Sequence, residues 1–462
     1  MKSIEDMNEK YFIVDIGSST VVGEEIGCID PVTKRKWTEY RFRTFTEFKS
    51  KLVKDLVLVP KGESGTTLKA LADLWLKDAE GRQYDRLVYA PPGSNRIIKP
   101  DDLNGWKGFT VAPSPGSWEL TKEFIFRVAC QKELQLFNWL LDWMAALYQK
   151  PGQHAETALI CVGPQGVGKN VFADLILGWT FDGRHYRCTT HTRQVLGDFN
   201  AILSGLCLLV LDEVGLKTIS EANATKGLIT GHTIDINRKG LDIEWENSML
   251  HLVFLSNNTK EPIKVDPDDR RYAFLDFSDD NKNDAAFFAR IAEELVEGGR
   301  AAMLSELLAR NINWMNQRIA PDSATKQRIK RHSMVEAQSF LMQYWRDLGD
   351  KKWNNHKGEH VIAKEQLIRL FMQWRKDTNS DAKVRDPREE LRIMIKSTVP
   401  KDYAKDERFC RSRRPPEGGP MSRGFWSFPS WAEYSVSFTA RTGISLKGMN
   451  KETEVDAQMD LP

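Results

Sequence analysis

The residues best suited to chemistry are Gly163, Pro164, Gln165, Gly166, Val167, Gly168, Lys169 and Asn170. They follow the apolar run Ala158–Val162 and precede another, Val171–Leu177, so the spacing predicts strand, loop and helix. Glycines there let backbone N–H groups turn inward around phosphate oxygens. Lys169 supplies a fixed positive charge to the β- and γ-phosphates, and the start of the following helix favours an anion. ATP with Mg2+ is the ligand such a loop would take. The position after the lysine usually carries a Ser or Thr hydroxyl for magnesium; here it is Asn170, whose amide oxygen can also ligate a hard cation. A purely structural glycine-rich turn is the competing reading, and residues further along weigh against it.

The run Leu206–Leu211 ends in Asp212 and Glu213. In a parallel sheet the carboxyl ends of the strands gather on one edge, where ligands bind. Asp212 would face magnesium directly or through water, and Glu213 would polarise the attacking water. Alone, this is also the composition of a solvated strand end. A further strand, from His251, ends in Ser256, Asn257 and Asn258. An amide both donates and accepts, so Asn257 suits holding that water or sensing the γ-phosphate.

Asp268-Asp269-Arg270-Arg271-Tyr272 offers two arginines. At a subunit edge, one could stabilise transition-state charge on a neighbour's ATP; an ion-paired loop is the plain alternative for the other. Thr233 to Trp245 alternates apolar and polar residues on both sides of Arg238-Lys239-Gly240, the pattern of a β-hairpin with a basic tip. A basic tip suits nucleic-acid phosphates. Taken by itself, the hairpin reads more simply as a surface hairpin with solvated charges.

Several elements must position these residues. Short apolar runs at Ala158–Val162, Cys207–Leu211, Leu250–Leu255 and Tyr272–Phe277 predict central strands buried on both faces. Residues 118–149 read as helical and 284–310 as one or two helices. Tyr11–Ile16 reads as a strand, Phe45–Leu52 as a short helix and Leu68–Leu76 as a longer one. Val14 to Thr20 superficially resembles a phosphate loop of actin-like kinases, but without the matching second loop it reads as a strand and turn. The division expected is an accessory region (1–95), a helical region (96–155), an ATPase core (156–280), a helical extension (281–334), a small winged-helix-like domain (335–400) and a tail, basic then acidic (401–462).

The chain has 462 residues, 41% hydrophobic and 28% charged, with a net charge of +2, ordinary for a globular protein. Any nucleic-acid channel must therefore come from local clustering of Lys and Arg. Cys28, Cys130, Cys161, Cys188, Cys207 and Cys410 form no CxxC pair, which points away from zinc and disulfides and toward a reducing compartment. No run of about eighteen apolar residues suggests a membrane span. The amino-terminus is too charged for a secretory signal.

Taken in order, these elements resemble superfamily 3 helicases, and more closely the ATPase domain of phage and plasmid primase-helicases. The matching residues include Leu103 to Phe109, Leu134–Trp143, the glycine loop, Gly197 to Asn200, the Asp212-Glu213 strand end, Leu228 to Gly231, Arg238 to Gly240, Leu255 to Asn258 and Asp269 to Tyr272, over roughly residues 85–310. The resemblance implies an α/β, AAA+-like core with ATP bound between the subunits of a homo-hexamer or other ring. Basic hairpins would grip single-stranded DNA in the pore, with movement typically 3′ to 5′. It gives Lys169, Asp212, Glu213 and Asn257 roles within the subunit, makes Arg270 the first choice of finger and Arg271 the second, and turns Arg238 and above all Lys239 into DNA contacts. A separate primase or polymerase would act alongside, because no priming domain is evident in residues 1–95. The setting implied is the cytoplasm of a bacterial host, in replication of a phage or mobile element. The alternative is an ATP-driven initiator or switch that assembles on DNA without processive unwinding.

Overall fold

The computed structural model describes residues 3–29, 36–61, 65–92, 94, 96–213, 219–259, 262–263, 269–332, 336–352, 360–378, 387–400 and 425–442. They form two compact units: Met1–Ile263 with Arg270–Ser323, and Lys264–Asp269 with Ala324–Pro462. Among the described residues no helix is long and apolar enough to cross a membrane.

The first unit is built on a five-stranded parallel sheet. Its spatial order is Tyr186–Thr189, Leu208–Asp212, His251–Ser256, Ala158–Val162 and Tyr272–Asp276. Ala158–Val162 is buried throughout, as a strand covered on both faces must be. The helix Leu134–Gln149 packs Leu140, Trp143, Met144 and Leu147 into the core, positions repeating at helical spacing. Four of the strands fall within a residue of the apolar runs that announce them. Tyr186–Thr189 carries no such run, because it is a four-residue edge strand that buries only its two end residues.

Three expectations are corrected. Leu68–Leu76 is not one helix: Gly65–Ala70 pairs antiparallel with Leu56–Lys61, and only Leu71–Trp75 is helical. The β-branched Thr66 and Thr67 favour the ribbon. Residues 118–149 are not continuous helix. Helix Glu119–Phe124 passes into a π-helical turn, Ile125–Ala129, and then a corner where Gln131 and Lys132 take positive φ. That corner is held by the Lys132 N–H on the Phe126 carbonyl (2.8 Å) and the Gln131 side chain on the Asp276 carbonyl (2.8 Å). Nor is everything beyond 400 a tail. Phe425–Phe428 pairs antiparallel with His360–Ala363, and helix Trp431–Thr442 buries Tyr434 and Phe438 in the second unit's core.

That second unit runs helices Ala324–His332 and Glu336–Lys352, strand His360–Ala363, helices Lys364–Asp377 and Pro387–Thr398, then the strand and helix just named. Its core centres on Trp345, whose indole donates to the Tyr434 hydroxyl (2.9 Å). The basic stretch at 401–424 and the acidic end beyond 442 lie outside the described residues.

In the first unit, Tyr11–Ile16 and Ser19–Ile29 form a hairpin with its turn at Gly17 and Ser18, within a four-stranded sheet. Gly17 has a φ of 61°, a conformation glycine adopts freely. This turn meets the hairpin that runs from Thr233 to Asn247: the Gly17 N–H donates to Glu244 (2.7 Å), and Ser18 bonds Asp242. The amino-terminal sheet therefore braces the loop that carries Lys239.

Two buried histidines make the first unit acid-sensitive. His185 accepts from the Lys107 N–H through Nε2 (2.8 Å), so its Nδ1 donates to the Gly205 carbonyl (2.8 Å) and the ring is neutral. His251 begins a central strand with its ring edge-on to Trp143. Burial pushes both down to about 4. The unfolded chain takes up these protons near pH 6.5, so their contribution is complete above that pH and is lost as pH falls toward 4. Each should cost about 1.4 kcal/mol per pH unit, and about 3 kcal/mol at the limit. Urea midpoints at pH 7, 6 and 5 check this; a midpoint constant down to pH 5 would contradict it.

Candidate nucleotide site

The glycine loop leaves the carboxyl end of Ala158–Val162 in backbone conformations that need glycine: φ is 149° at Gly163, 85° at Gly166 and 93° at Gly168. Space excludes a side chain as well. A Cβ on Gly168 would stand 2.5 Å from Phe288, and one on Gly166 would stand 2.0 Å from the Asn283 side-chain oxygen. Val167 is buried and anchors the loop, Pro164 is half-buried and Gln165 is exposed. The Asn283 N–H bonds the Gly166 carbonyl (2.9 Å) from outside. Asn283 was not anticipated; it sits in a polar turn, Asp279 to Asp284, with no distinctive spacing. The helix after the loop, Val171–Leu177, is π-helical.

Lys169 is 6% exposed. Its Nζ donates to the carbonyls of Gly163 (2.6 Å) and Pro164 (2.7 Å) and to Asn257 Oδ1 (2.8 Å). Burial holds its pKa below the usual lysine range, partly offset by the Asp212 and Glu213 carboxylates. Asn257 donates in turn to Glu213 Oε1 (2.9 Å). Asn170 donates through Nδ2 to Asp212 Oδ2 (3.0 Å), so its amide oxygen is the atom left to accept or ligate.

Sheet order explains this network. The strand ending at Asn257 lies between the strand that feeds the loop and the strand that ends at Asp212. Its terminal amide can therefore bridge lysine and glutamate. Glu213 has a φ of 53°, unusual for a residue with a side chain, and its N–H bonds the Leu255 carbonyl (3.1 Å). Such strain persists where the surroundings impose it and clusters at functional sites. The site thus gathers a cation, two carboxylates and two amides on one sheet edge beside a loop of turned-in glycines.

If Asn170 serves as a cation ligand, Asn170→Ser or Asn170→Thr should preserve or raise magnesium-dependent ATP hydrolysis, since a hydroxyl restores the usual ligand. A steady-state assay checks this. Complete loss would assign the amide to the Asp212 hydrogen bond instead.

The arginines are elsewhere. Tyr272–Asp276 runs in register with Ala158–Val162, so Arg270 and Arg271 sit where the loop strand begins, about 16 Å from where it ends. Their carbonyls are tied down, Arg270's by Ala320 (2.7 Å) and Arg271's by Ala158 (2.8 Å). The Arg270 side chain is exposed and that of Arg271 is half-buried. Asp269 is buried, and Asp268 lies outside the described residues.

The hairpin forms as expected, Thr233–Ile236 against Glu244–Asn247, but only one tip cation faces solvent. Arg238 is 8% exposed and bonds Glu244 (2.8 Å), Glu246 (3.3 Å) and Ser204 (2.8 Å). Its guanidinium is taken up inside the hairpin, where the sequence leads one to expect a solvent-facing tip. Lys239 is exposed. Asn200 clamps the hairpin from below, donating to the Asp235 carbonyl (2.8 Å) and accepting from the Asn237 N–H (2.8 Å).

The architecture is a mixed α/β fold on a parallel sheet, and it is shared with solved structures of the NrS-1 C-terminal region. One, the A form apo structure, is 16% identical with a TM-score of 0.54, covering 74% of this chain and 84% of that one. An apo structure of NrS-1 residues 305–718 gives 16%, 0.53, 76% and 86%. A JCV helicase structure aligns over 49% of this chain and 64% of its own at 13% identity and a TM-score of 0.25, too weak to speak for a common fold. Residues 161–271 match a family described as "Family of unknown function (DUF5906)". No curated protein matches the chain significantly in sequence.

Proposed function

We propose that this chain is an ATP-hydrolysing DNA helicase of the superfamily 3 type, acting in replication of a phage or mobile element. One observation carries the reading: Lys169, Asn257 and Glu213 form a continuous hydrogen-bonded chain at the mouth of the glycine loop, with Asp212 and Asn170 paired beside it. Lys169 would draw the γ-phosphate, Asp212 and the Asn170 oxygen would hold Mg2+, and Glu213 would orient the attacking water with Asn257. ATP entering would take Lys169 from the two loop carbonyls.

The remote arginines fit a ring, in which Arg270 of one subunit approaches the nucleotide of the next. Single-stranded DNA would run past Lys239. From Glu336 onward, the second unit's order of helix, strand, two helices, strand and helix suits a winged-helix-like module adding DNA contacts.

Because Lys239 lies on a different element from the glycine loop, Lys239→Ala should weaken single-strand binding and its stimulation of hydrolysis, with DNA-free hydrolysis largely kept. Log affinity should also fall less steeply with log salt, by about 0.7 for one phosphate contact. An unchanged slope in salt titrations would remove Lys239 from the DNA path.

Asn170 in place of a hydroxyl keeps one other reading in view, an initiator that switches with ATP but unwinds little. Unwinding of a forked duplex by the purified chain with ATP separates the two. Strand release dependent on Glu213 supports the helicase; ATP-dependent DNA binding without strand release supports the switch.

A further inference from the structure

The stretch from Arg238 to Glu246 holds two cations and three carboxylates, so the segment that carries Lys239 is net acidic. Where each carboxylate goes therefore decides whether Lys239 can meet a phosphate. Arg238 takes two of them, Glu244 (2.8 Å) and Glu246 (3.3 Å). Glu246 also accepts from the Ser204 hydroxyl (2.6 Å) and the Gly205 N–H (3.1 Å). Asp242 has no cationic partner among the described residues. It accepts from the Ser18 hydroxyl, on the turn of the amino-terminal hairpin. Of the five charged side chains, Lys239 is the one left without a hydrogen bond or ion pair among the described residues.

The amino-terminal sheet lies close against this loop on both sides of Lys239. The Gly17 N–H donates to Glu244 (2.7 Å), and a Cβ on Gly17 would stand 2.9 Å from the Asp242 Cβ. Leu241 packs on the sheet's apolar cluster, which includes Phe12, Val14 and Tyr40. The Arg238 guanidinium lies over the Phe42 ring at 5.6 Å. Positions 238, 241, 242 and 244 thus all meet the sheet, and Lys239 stays exposed.

Asp242 stands three residues from Lys239 in a tight loop. Swung free, its carboxylate would share the space in front of the ammonium and repel a phosphate arriving there. We infer that Ser18 is a positioning residue for the DNA contact: it holds the Asp242 carboxylate against the amino-terminal sheet, so that Lys239 meets the strand without a negative charge beside it. The inference rests on the DNA reading above and gives the amino-terminal sheet a part in it.

The test is equilibrium binding of labelled oligothymidylate to the full chain by fluorescence anisotropy, at about 0.05 M salt, where the Debye length still exceeds about 10 Å. Ser18→Ala should weaken binding about threefold, the scale of one carboxylate released to within about 7 Å of the contact in water. Asp242→Asn should bind at least as tightly as wild type, since Ser18 can still donate to the amide oxygen. Ser18→Ala added to Asp242→Asn should change affinity by less than about 1.5-fold, because the charge it would release is gone. Simple loosening of the loop would instead cost the same in both backgrounds. Both positions are exposed, so the variants should fold, and equal urea midpoints check that. Lys239→Ala is the reference. If it weakens binding while Ser18→Ala has no effect, or has the same effect with and without the Asp242 charge, the inference is overturned and the DNA reading stands. Wild-type affinity in Lys239→Ala, or no binding by the wild type, would overturn both.

Discussion

Lys169→Ala should lose ATP hydrolysis by at least about 100-fold, the usual cost of removing one preorganised charge from a phosphoryl-transfer site. The chain should stay folded. The lysine's partners are two loop carbonyls and one amide, and the strand beneath is held by Ile160, Cys161 and Val162 in the sheet, not by the lysine. Glu213→Gln provides the contrast: it keeps the site's shape and an acceptor for Asn257 but removes the carboxylate, so ATP should bind and persist. Nucleotide binding followed by single-turnover hydrolysis distinguishes the two. Near-normal turnover by Lys169→Ala would sink the assignment of the loop.

Arg270→Ala should bind ATP yet hydrolyse it about 1,000-fold more slowly, even without DNA, the scale of a lost arginine finger. Its position makes the effect intermolecular. Strand register puts Arg270 at the beginning of the loop strand and the glycine loop at its end, so it cannot act on its own subunit's phosphates. Mixing Arg270→Ala with Lys169→Ala subunits should then restore part of the activity, because some interfaces pair an intact loop with an intact arginine. No restoration in demonstrably mixed assemblies would remove the trans role. Restoration by Arg271→Ala in place of Arg270→Ala would shift the role by one residue.

The sheet was readable in the sequence where burial leaves a mark. Ala158–Val162 and, between His251 and Ser256, residues 252–255 are packed on both faces and so are apolar without interruption. Tyr186–Thr189, at the edge, buries only its two end residues around Arg187 and Cys188 and so leaves no apolar run to read. Phe425–Phe428 joins a sheet with a strand more than sixty residues earlier, a pairing no local pattern announces. At the site, residue types were legible but their connections were not. Asn257 bridges Lys169 and Glu213 only because its strand inserts between theirs, a matter of topology. Arg238 was misread as a tip cation. The signal was present: Glu244 and Glu246 recur at the strand period, so they share a face and together bind one guanidinium.

The central claim is that one edge of this sheet hydrolyses ATP in response to single-stranded DNA. Its most direct test is the magnesium-dependent rate of phosphate release by the purified chain, with and without a single-stranded oligonucleotide. The account predicts measurable hydrolysis that rises several-fold with DNA and vanishes in Lys169→Ala. The same rate in wild type and Lys169→Ala, or no hydrolysis under either condition, would contradict it.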